Sequence, residues 1–194
     1  MIPYVPVIRE TPPVVNVRSA WETLPVIIKD IIIRFNLKTD KALEFGVERG
    51  FSTTALAHYF EDVIGVDTWD WDFGDGIERS YISVCSLLAE WYNISLIELS
   101  YQEFIKLKES DVHYDLIHVD IGYETHEYEP TLECGDWALQ HSDCVLFHDT
   151  LSFPGVMRAC EELAEKHGFE FYNYEEEIGP AGVVCGLGIL IRKA

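Results

Sequence analysis

The chain has 194 residues, 48% of them hydrophobic, and 14 Lys and Arg stand against 34 Asp and Glu for a formal net charge of −20. That length buries a full core in one domain without the help of disulfides. The charge excludes a nucleic-acid binder, which needs a basic face, and disfavours an anionic membrane surface.

The predicted elements alternate along the chain. Residues 1–18 are proline-rich and read as an extended N-terminal arm ahead of one domain over 19–194. The start has neither a basic segment nor an apolar one of signal-peptide type, so no secretion signal is expected. Ser19 is a candidate N-cap for a helix over 20–36, with Trp21, Leu24, Ile27, Ile28, Ile31 and Ile32 as its apolar stripe. A strand over 41–47 runs into a glycine-bearing turn, and Ser52 opens a helix to about 61. A strand over 62–67 follows, then an acidic, aromatic loop over 68–76 and a helix over 77–92. Next come a strand over 94–99, a short helix over 101–109, a strand from Tyr114 to Asp120, and a loop and helix over 121–140. A strand from Cys144 to Asp149 precedes a helix with Pro154 in its first turn. Strands near 169–175 and 183–192, separated by Gly179-Pro180-Ala181-Gly182, close the chain. Strands alternating with helices predict a parallel sheet covered on both faces, and the last two strands predict a terminal antiparallel hairpin. The expected fold is a single-domain, Rossmann-like α/β fold with a seven-stranded, mostly parallel sheet.

Five cysteines (Cys85, Cys134, Cys144, Cys160 and Cys185) are odd in number and show neither CxxC nor zinc spacing. They read as free buried thiols of a reducing cytoplasm. The longest apolar runs, Val26 to Phe35 and Val183 to Ile191, are too short for a bilayer, which needs about 20 apolar residues.

One stretch carries most of the functional information: Ala42-Leu43-Glu44-Phe45-Gly46-Val47-Glu48-Arg49-Gly50-Phe51-Ser52, followed by Val63-Ile64-Gly65-Val66-Asp67. A strand, a glycine turn, a helix and a second strand ending on an acid describe a nucleoside-binding βαβ unit. Gly46 and Gly50 let backbone approach a ligand where a Cβ would clash. Asp67, at the carboxyl edge of the sheet, can accept hydrogen bonds from ribose hydroxyls. Glu48 stands where the dinucleotide fingerprint has its middle glycine, so no pyrophosphate is implied, and there is no P-loop. Asp120 and Asp149 each end a central strand and, with His148, form an oxygen-rich cluster facing the same crevice.

Five motifs occur in order: Glu44-Phe45-Gly46-Val47 with Gly50-Phe51-Ser52, Gly65-Val66-Asp67-Thr68-Trp69, Tyr114-Asp115-Leu116-Ile117-His118-Val119-Asp120, and Val145-Leu146-Phe147-His148-Asp149-Thr150. Over residues 40–165 the chain resembles class I S-adenosylmethionine-dependent methyltransferases, in particular the macrocin O-methyltransferase and cephalosporin-hydroxylase-like family. Two places depart from that pattern. The family's D-G-x-H-x-Y-E is here Asp120-Ile121-Gly122-Tyr123-Glu124-Thr125-His126-Glu127-Tyr128-Glu129, and its proline-glycine-glycine is Gln140-His141-Ser142-Asp143.

The resemblance implies S-adenosylmethionine as cofactor and methylation of a hydroxyl on a small molecule. It places Glu44 near the amino group of the methionine part, and Gly46, Gly50 and Ser52 along that part. Asp67 would take the ribose, and Thr68, Trp69, Ser100 and Tyr101 the adenine, with Asp120 at the reacting end. It further implies a divalent cation on Asp120, Asp149 and His148. With His148 where some members carry a second acid, magnesium, manganese and a metal-free site all stand open. For the general base, His126, His148 and Tyr123 are candidates, with Asp120 in support, whereas His118, mid-strand, reads as a buried hydrogen-bonded core residue. Two other readings stand beside this one: a protein that binds the cofactor or S-adenosylhomocysteine without transferring methyl, and a nicotinamide-dependent oxidoreductase. The expected setting is cytoplasmic, with no nucleic-acid or membrane partner. The aromatic arm and the Ile-rich first helix offer a face for a homodimer.

Overall fold

The computed structural model describes residues 1–17, 19, 22–70, 76, 78–107, 111–121, 128–175 and 184–193. In chain order the strands are β1 (Ile2–Pro3), β2 (Lys41–Phe45), β3 (Asp62–Asp67), β4 (Ile94–Glu98), β5 (Leu116–Val119), β6 (Cys144–His148), β7 (Phe169–Tyr174) and β8 (Leu187–Arg192). The helices are α1 (Leu24–Arg34), α2 (Phe51–Tyr59), α3 (Tyr81–Leu87), α4 (Tyr101–Leu107), α5 (Tyr128–His141) and α6 (Pro154–His167). Among the described residues the strands make one sheet in the order β1-β7-β8-β6-β5-β2-β3-β4. All neighbours run parallel except β8, which is antiparallel to both β6 and β7. The expected hairpin is therefore present, with its last strand inserted between β6 and β7.

The sheet has eight strands where the sequence predicts seven. The extra strand is the start of the N-terminal arm, which pairs with β7 at the sheet's outer edge. Pro3 is tolerated there because an edge strand can spare an N–H. The arm is pinned rather than loose. Tyr4 is buried, its N–H donates to the Asn173 carbonyl at 2.7 Å, and its hydroxyl donates to Asp30 Oδ2 at 2.5 Å. Asp30 also accepts from the N–H groups of Val7 (2.9 Å) and Ile8 (2.7 Å).

Helix α1 begins at Leu24, with Pro25 in its first turn, so Ser19 is not its cap. Trp21 lies outside the described residues, as do Trp71 and the Gly179–Gly182 turn. Helix α3 is shorter than predicted because Ser80 caps it, its hydroxyl accepting from the Ser83 N–H, and Leu88 closes it.

Strand alternation sorts two cores onto the two faces. One face packs Ala42, Leu116 and Leu146 against Ile27, Ile28 and Ile31 of α1 and Ala55 and Leu56 of α2. The other packs Leu43, Phe45, Ile117, Val145 and Phe147 against Phe104 of α4, Ala138 and Leu139 of α5, and Leu163 of α6. The same alternation puts Glu44, His118 and His148 on the first face, one step closer to the carboxyl ends than its apolar residues. That face therefore changes from apolar to polar as it reaches the crevice. All five cysteines are free thiols, and all but Cys85 are buried. Among the described residues no helix is long and apolar enough to cross a membrane.

Candidate functional site

A cavity of about 680 Å³ opens at the carboxyl ends of the parallel strands, lined among others by Gly46, Asp67, Trp69, Ser100, Asp120 and His148. Strand β2 has β3 on one side and β5 on the other, so the chain's winding reverses there. Open α/β sheets bind ligands at such a switch point, and the volume lies within the ~300–1,000 Å³ of small-molecule sites.

The β2–α2 turn is held by contacts the sequence does not reveal. Gly46 has φ +87, and a Cβ there would lie 1.8 Å from the Asp120 carbonyl oxygen. Gly50 has φ +85, and its Cβ would meet the Leu88 side chain at 2.5 Å. The close approach that demands glycine is thus to β5 at Gly46 and to the end of α3 at Gly50, rather than to a ligand. Asp67, at the end of β3, straps this turn. Its Oδ2 accepts from the N–H groups of Val47 and Glu48 at 2.8 Å, and its Oδ1 from the N–H of Trp69 at 2.9 Å. An ionised carboxylate has about four acceptor positions, so one is left for the cavity. Trp69 Nε1 donates to the Glu48 carbonyl at 3.0 Å, and Arg79 pairs with the Glu48 carboxylate at 2.8 Å. Glu48 and Trp69 both hold φ of 49°, a cost that persists only where the surroundings over-determine the conformation.

Thr68 and Ser100 line the cavity with Asp67 and Trp69. Three expected cofactor residues, Glu44, Gly50 and Ser52, do not line it. Glu44 is fully buried beneath it, accepting from the Thr53 hydroxyl and lying 2.8 Å from His118 Nδ1. Its side chain points under α2 because it shares strand parity with Ala42. His118 is the buried, hydrogen-bonded residue its mid-strand position predicts.

At the other end of the cavity His148 Nδ1 lies 3.0 Å from Asp120 Oδ1 and 3.4 Å from Asp149 Oδ2. Burial works against a charged His148, but the Asp120 carboxylate outweighs it and raises its pKa well above the ordinary value. The recessed position of Asp120 opposes its charge too, and His148 more than compensates, holding that carboxyl low. Burial and the neighbouring Asp120 charge raise Asp149. In the metal-free cluster the Asp120 carboxylate thus favours the imidazolium form of His148, which argues against the expected role of base. His126 and Tyr123, the other base candidates, lie outside the described residues.

The cluster also contains a residue that spacing could not reveal. The donor atoms of His148, Asp149 and Cys185 lie within 4.8 Å of one another. Cys185 comes from the segment before β8, and the antiparallel register pairing His148 with Leu187 brings it there. An imidazole, a thiol and one free carboxylate do not fit the all-oxygen shell that magnesium prefers, nor the oxygen ligands that suit manganese. The expected cation on Asp120, Asp149 and His148 thus meets a different donor set, with Asp120 taken up by the imidazole.

No family model matches the chain, and no curated protein matches it. Many solved structures share its fold. The O-methyltransferase TomG from Streptomyces achromogenes, solved in complex with SAM, is 18% identical with a TM-score of 0.61, covering 84% of this chain and 77% of its own. The N-methyltransferase NodS from Bradyrhizobium japonicum is 16% identical, also at 0.61, covering 84% and 93%. An rRNA methylase from Streptococcus thermophilus is 14% identical at 0.59, covering 90% and 100%. At these identities the likeness establishes the methyltransferase-type fold.

Proposed function

We propose that this protein is an S-adenosylmethionine-dependent methyltransferase acting on a hydroxyl of a small molecule. The observation that carries the reading is the pairing, in one cavity, of a backbone-strapped acid at the end of β3 with an acid–histidine cluster at the ends of β5 and β6. The first half suits a nucleoside: Asp67 keeps one acceptor position for a ribose hydroxyl, and Trp69 and Ser100 form the adjoining wall. The second half suits the reacting end. Supporting this, TomG, of the same fold, was solved with SAM.

The residues fit that cofactor, whose sulfonium supplies an activated methyl group when bound. Displacement at that methyl disperses charge instead of creating it, so the protein's main contribution is alignment of the two partners. His148, between the Asp120 and Asp149 carboxylates, orients both at the cavity wall. Asp149 takes the hydroxyl proton. Its raised pKa makes it a better match to that task than an ordinary carboxylate. The net charge of −20 favours neutral or cationic acceptors over a polyanion such as RNA, even though an rRNA methylase shares the fold.

Titration calorimetry of the full chain with S-adenosylmethionine is the test. Low-micromolar binding, with methyl label transferred to a hydroxylated small molecule, is the expected result. No binding would overturn the reading. Tight binding without transfer across a broad acceptor panel would favour a cofactor-binding protein without activity.

A further inference from the structure

The donor atoms around His148 belong to a chemistry that methyl transfer does not require. We infer that His148, Asp149 and Cys185 form a binding site for a borderline transition-metal ion of the zinc class, with Asp120 orienting the imidazole from outside the ligand shell. His148 and Asp149 lie in the wall of the same cavity, and the site stands whether or not that cavity takes S-adenosylmethionine; the roles proposed above for these two residues belong to the ion-free form.

The first argument is the donor set. Imidazole nitrogen, thiolate sulfur and one carboxylate oxygen make a mixed set that zinc takes readily, whereas magnesium prefers oxygen alone. The three donor atoms lie within 4.8 Å of one another. Ligands sharing one tetrahedral ion with bonds of about 2.0–2.3 Å lie roughly 3.3–3.8 Å apart, so closing the shell takes a side-chain adjustment of about an ångström. Zinc sites of this open kind keep three protein ligands and leave the fourth position for water or substrate. Here His148 and Asp149 both face the cavity, and Cys185 is buried behind them.

The second argument is independent of the donor types. A metal-bound histidine usually gives its other ring N–H to a carboxylate, which fixes the tautomer and the ring's orientation. Asp120 Oδ1 stands 3.0 Å from His148 Nδ1, as such an outer-sphere carboxylate would. The other ring nitrogen, Nε2, is fully enclosed. Asp120 thus takes a role distinct from direct ligation.

Third, the two turns that carry the ligands are tied together. The Cys185 carbonyl accepts from the N–H groups of Leu151 at 2.8 Å and Ser152 at 3.3 Å. Gly186 has φ +76, and a Cβ there would come within 2.7 Å of Thr150 Oγ1 and 2.9 Å of Leu151 N. Only glycine brings Cys185 this close to the β6 end. Asp149 itself holds φ of 65°, which turns it back beside His148. Thiol and imidazole ligate only in their deprotonated forms, so metal affinity at such a site falls in acid.

The test uses the chelator-stripped full chain and Co²⁺ as a spectroscopic stand-in for zinc. We expect uptake of one ion per chain with the near-ultraviolet absorption of thiolate-to-cobalt charge transfer and the intense visible bands of a tetrahedral site. Equimolar Zn²⁺ should displace the cobalt, and a thousandfold excess of Mg²⁺ should not. Cys185→Ser should abolish the charge-transfer absorption, whereas Cys160→Ser, altering a buried thiol elsewhere, should leave it intact. Asp120→Asn should keep the absorption but weaken affinity about 10–100-fold, the usual cost of losing an outer-sphere partner. Octahedral cobalt without thiolate absorption, competition by Mg²⁺, or a Cys185→Ser spectrum like wild type would each overturn the inference. The wild-type spectrum decides the matter even if a variant fails to fold. S-adenosylmethionine binding measured in parallel on the stripped protein separates failure here from failure of the methyltransferase reading.

Discussion

Asp67→Ala removes a carboxylate that straps a turn in the structure and, in the proposed reading, also holds a ribose, and the two tasks separate by measurement. Three backbone N–H groups, those of Val47, Glu48 and Trp69, converge on it. A hydrogen bond to a charged acceptor contributes about 1.5–3 kcal/mol when buried. Asp67 is only partly buried, and water in the cavity can take up the freed donors, so about 1 kcal/mol for each is the appropriate figure. The sum, about 3 kcal/mol, should lower Tm by about 6–12 °C for a chain of this size, at roughly 2–4 °C per kcal/mol. Calorimetric unfolding reads that number directly. Titration with S-adenosylmethionine on the same protein reads the second task, and there we expect at least a 30-fold loss of affinity. Asp67→Asn keeps one acceptor oxygen and should fall between wild type and alanine in both. A Tm within 2 °C of wild type would refute the strap, and unchanged affinity would refute the placement of the nucleoside.

Gly46→Ala and Gly76→Ala form a matched pair, since both glycines have positive φ (+87 and +73) but only Gly46 meets backbone, at 1.8 Å. Gly76→Ala should cost about 1–2 kcal/mol from the left-handed conformation alone, and Gly46→Ala clearly more, with loss of cofactor binding as Asp120 is displaced; urea unfolding compares them. Glu44→Ala removes the buried hydrogen-bond partner of His118 and Thr53 and should cost about 1–3 kcal/mol, again by urea unfolding, whereas a solvated Glu44 would cost almost nothing. Burial works against the charge on Asp30, but the Tyr4 hydroxyl, the N–H groups of Ile8 and Val7, and Arg34 outweigh it and hold its pKa below the ordinary carboxyl value. Because the folded pKa is the lower one, the stability Asp30 contributes is present above about pH 4 and is lost as pH falls through the depressed value. Asp30→Asn should therefore be less stable than wild type at pH 7, and the gap should close in acid. A gap that persists unchanged at pH 2 would refute that account.

The alternation of elements was readable because each strand over 41–47, 62–67, 94–99, 114–120 and 144–149 is a short apolar run bounded by turn residues, and period alone then assigns the helices between them. What period could not supply was pairing. Ile2–Pro3 is two residues long and carries no pattern, so its place beside β7 comes from tertiary contacts of Tyr4 and Asp30. Asp67 at a strand end was visible in Val63-Ile64-Gly65-Val66-Asp67, but its use as a strap for Val47 and Glu48 depends on where the β2–α2 turn passes. Glu44 looked like a crevice residue because it sits two before Gly46. Counting parity from Ala42 would have turned it toward α2. Cys185 gave no signal at all, because the residues it joins lie on a different strand and only the antiparallel register of β8 unites them.

The two halves of the cavity are built from different materials, and this follows from what each would hold. Around β3 the groups that fix the wall are backbone donors gathered on Asp67 and two residues locked at positive φ. Such an array is rigid, which suits a nucleoside that must sit the same way each time. Around β5 and β6 the wall is Asp120, His148 and Asp149, with Cys185 behind. Groups of this kind can exchange protons or take an ion, which would suit the reacting end of the proposed site. The halves meet where Gly46 crosses the Asp120 carbonyl, so neither can shift without the other. Sub-ångström alignment of donor and acceptor is what an in-line displacement requires of a protein. For the proposed methyl transfer, the crossing at Gly46 would supply it with backbone on both sides and no side chain to relax.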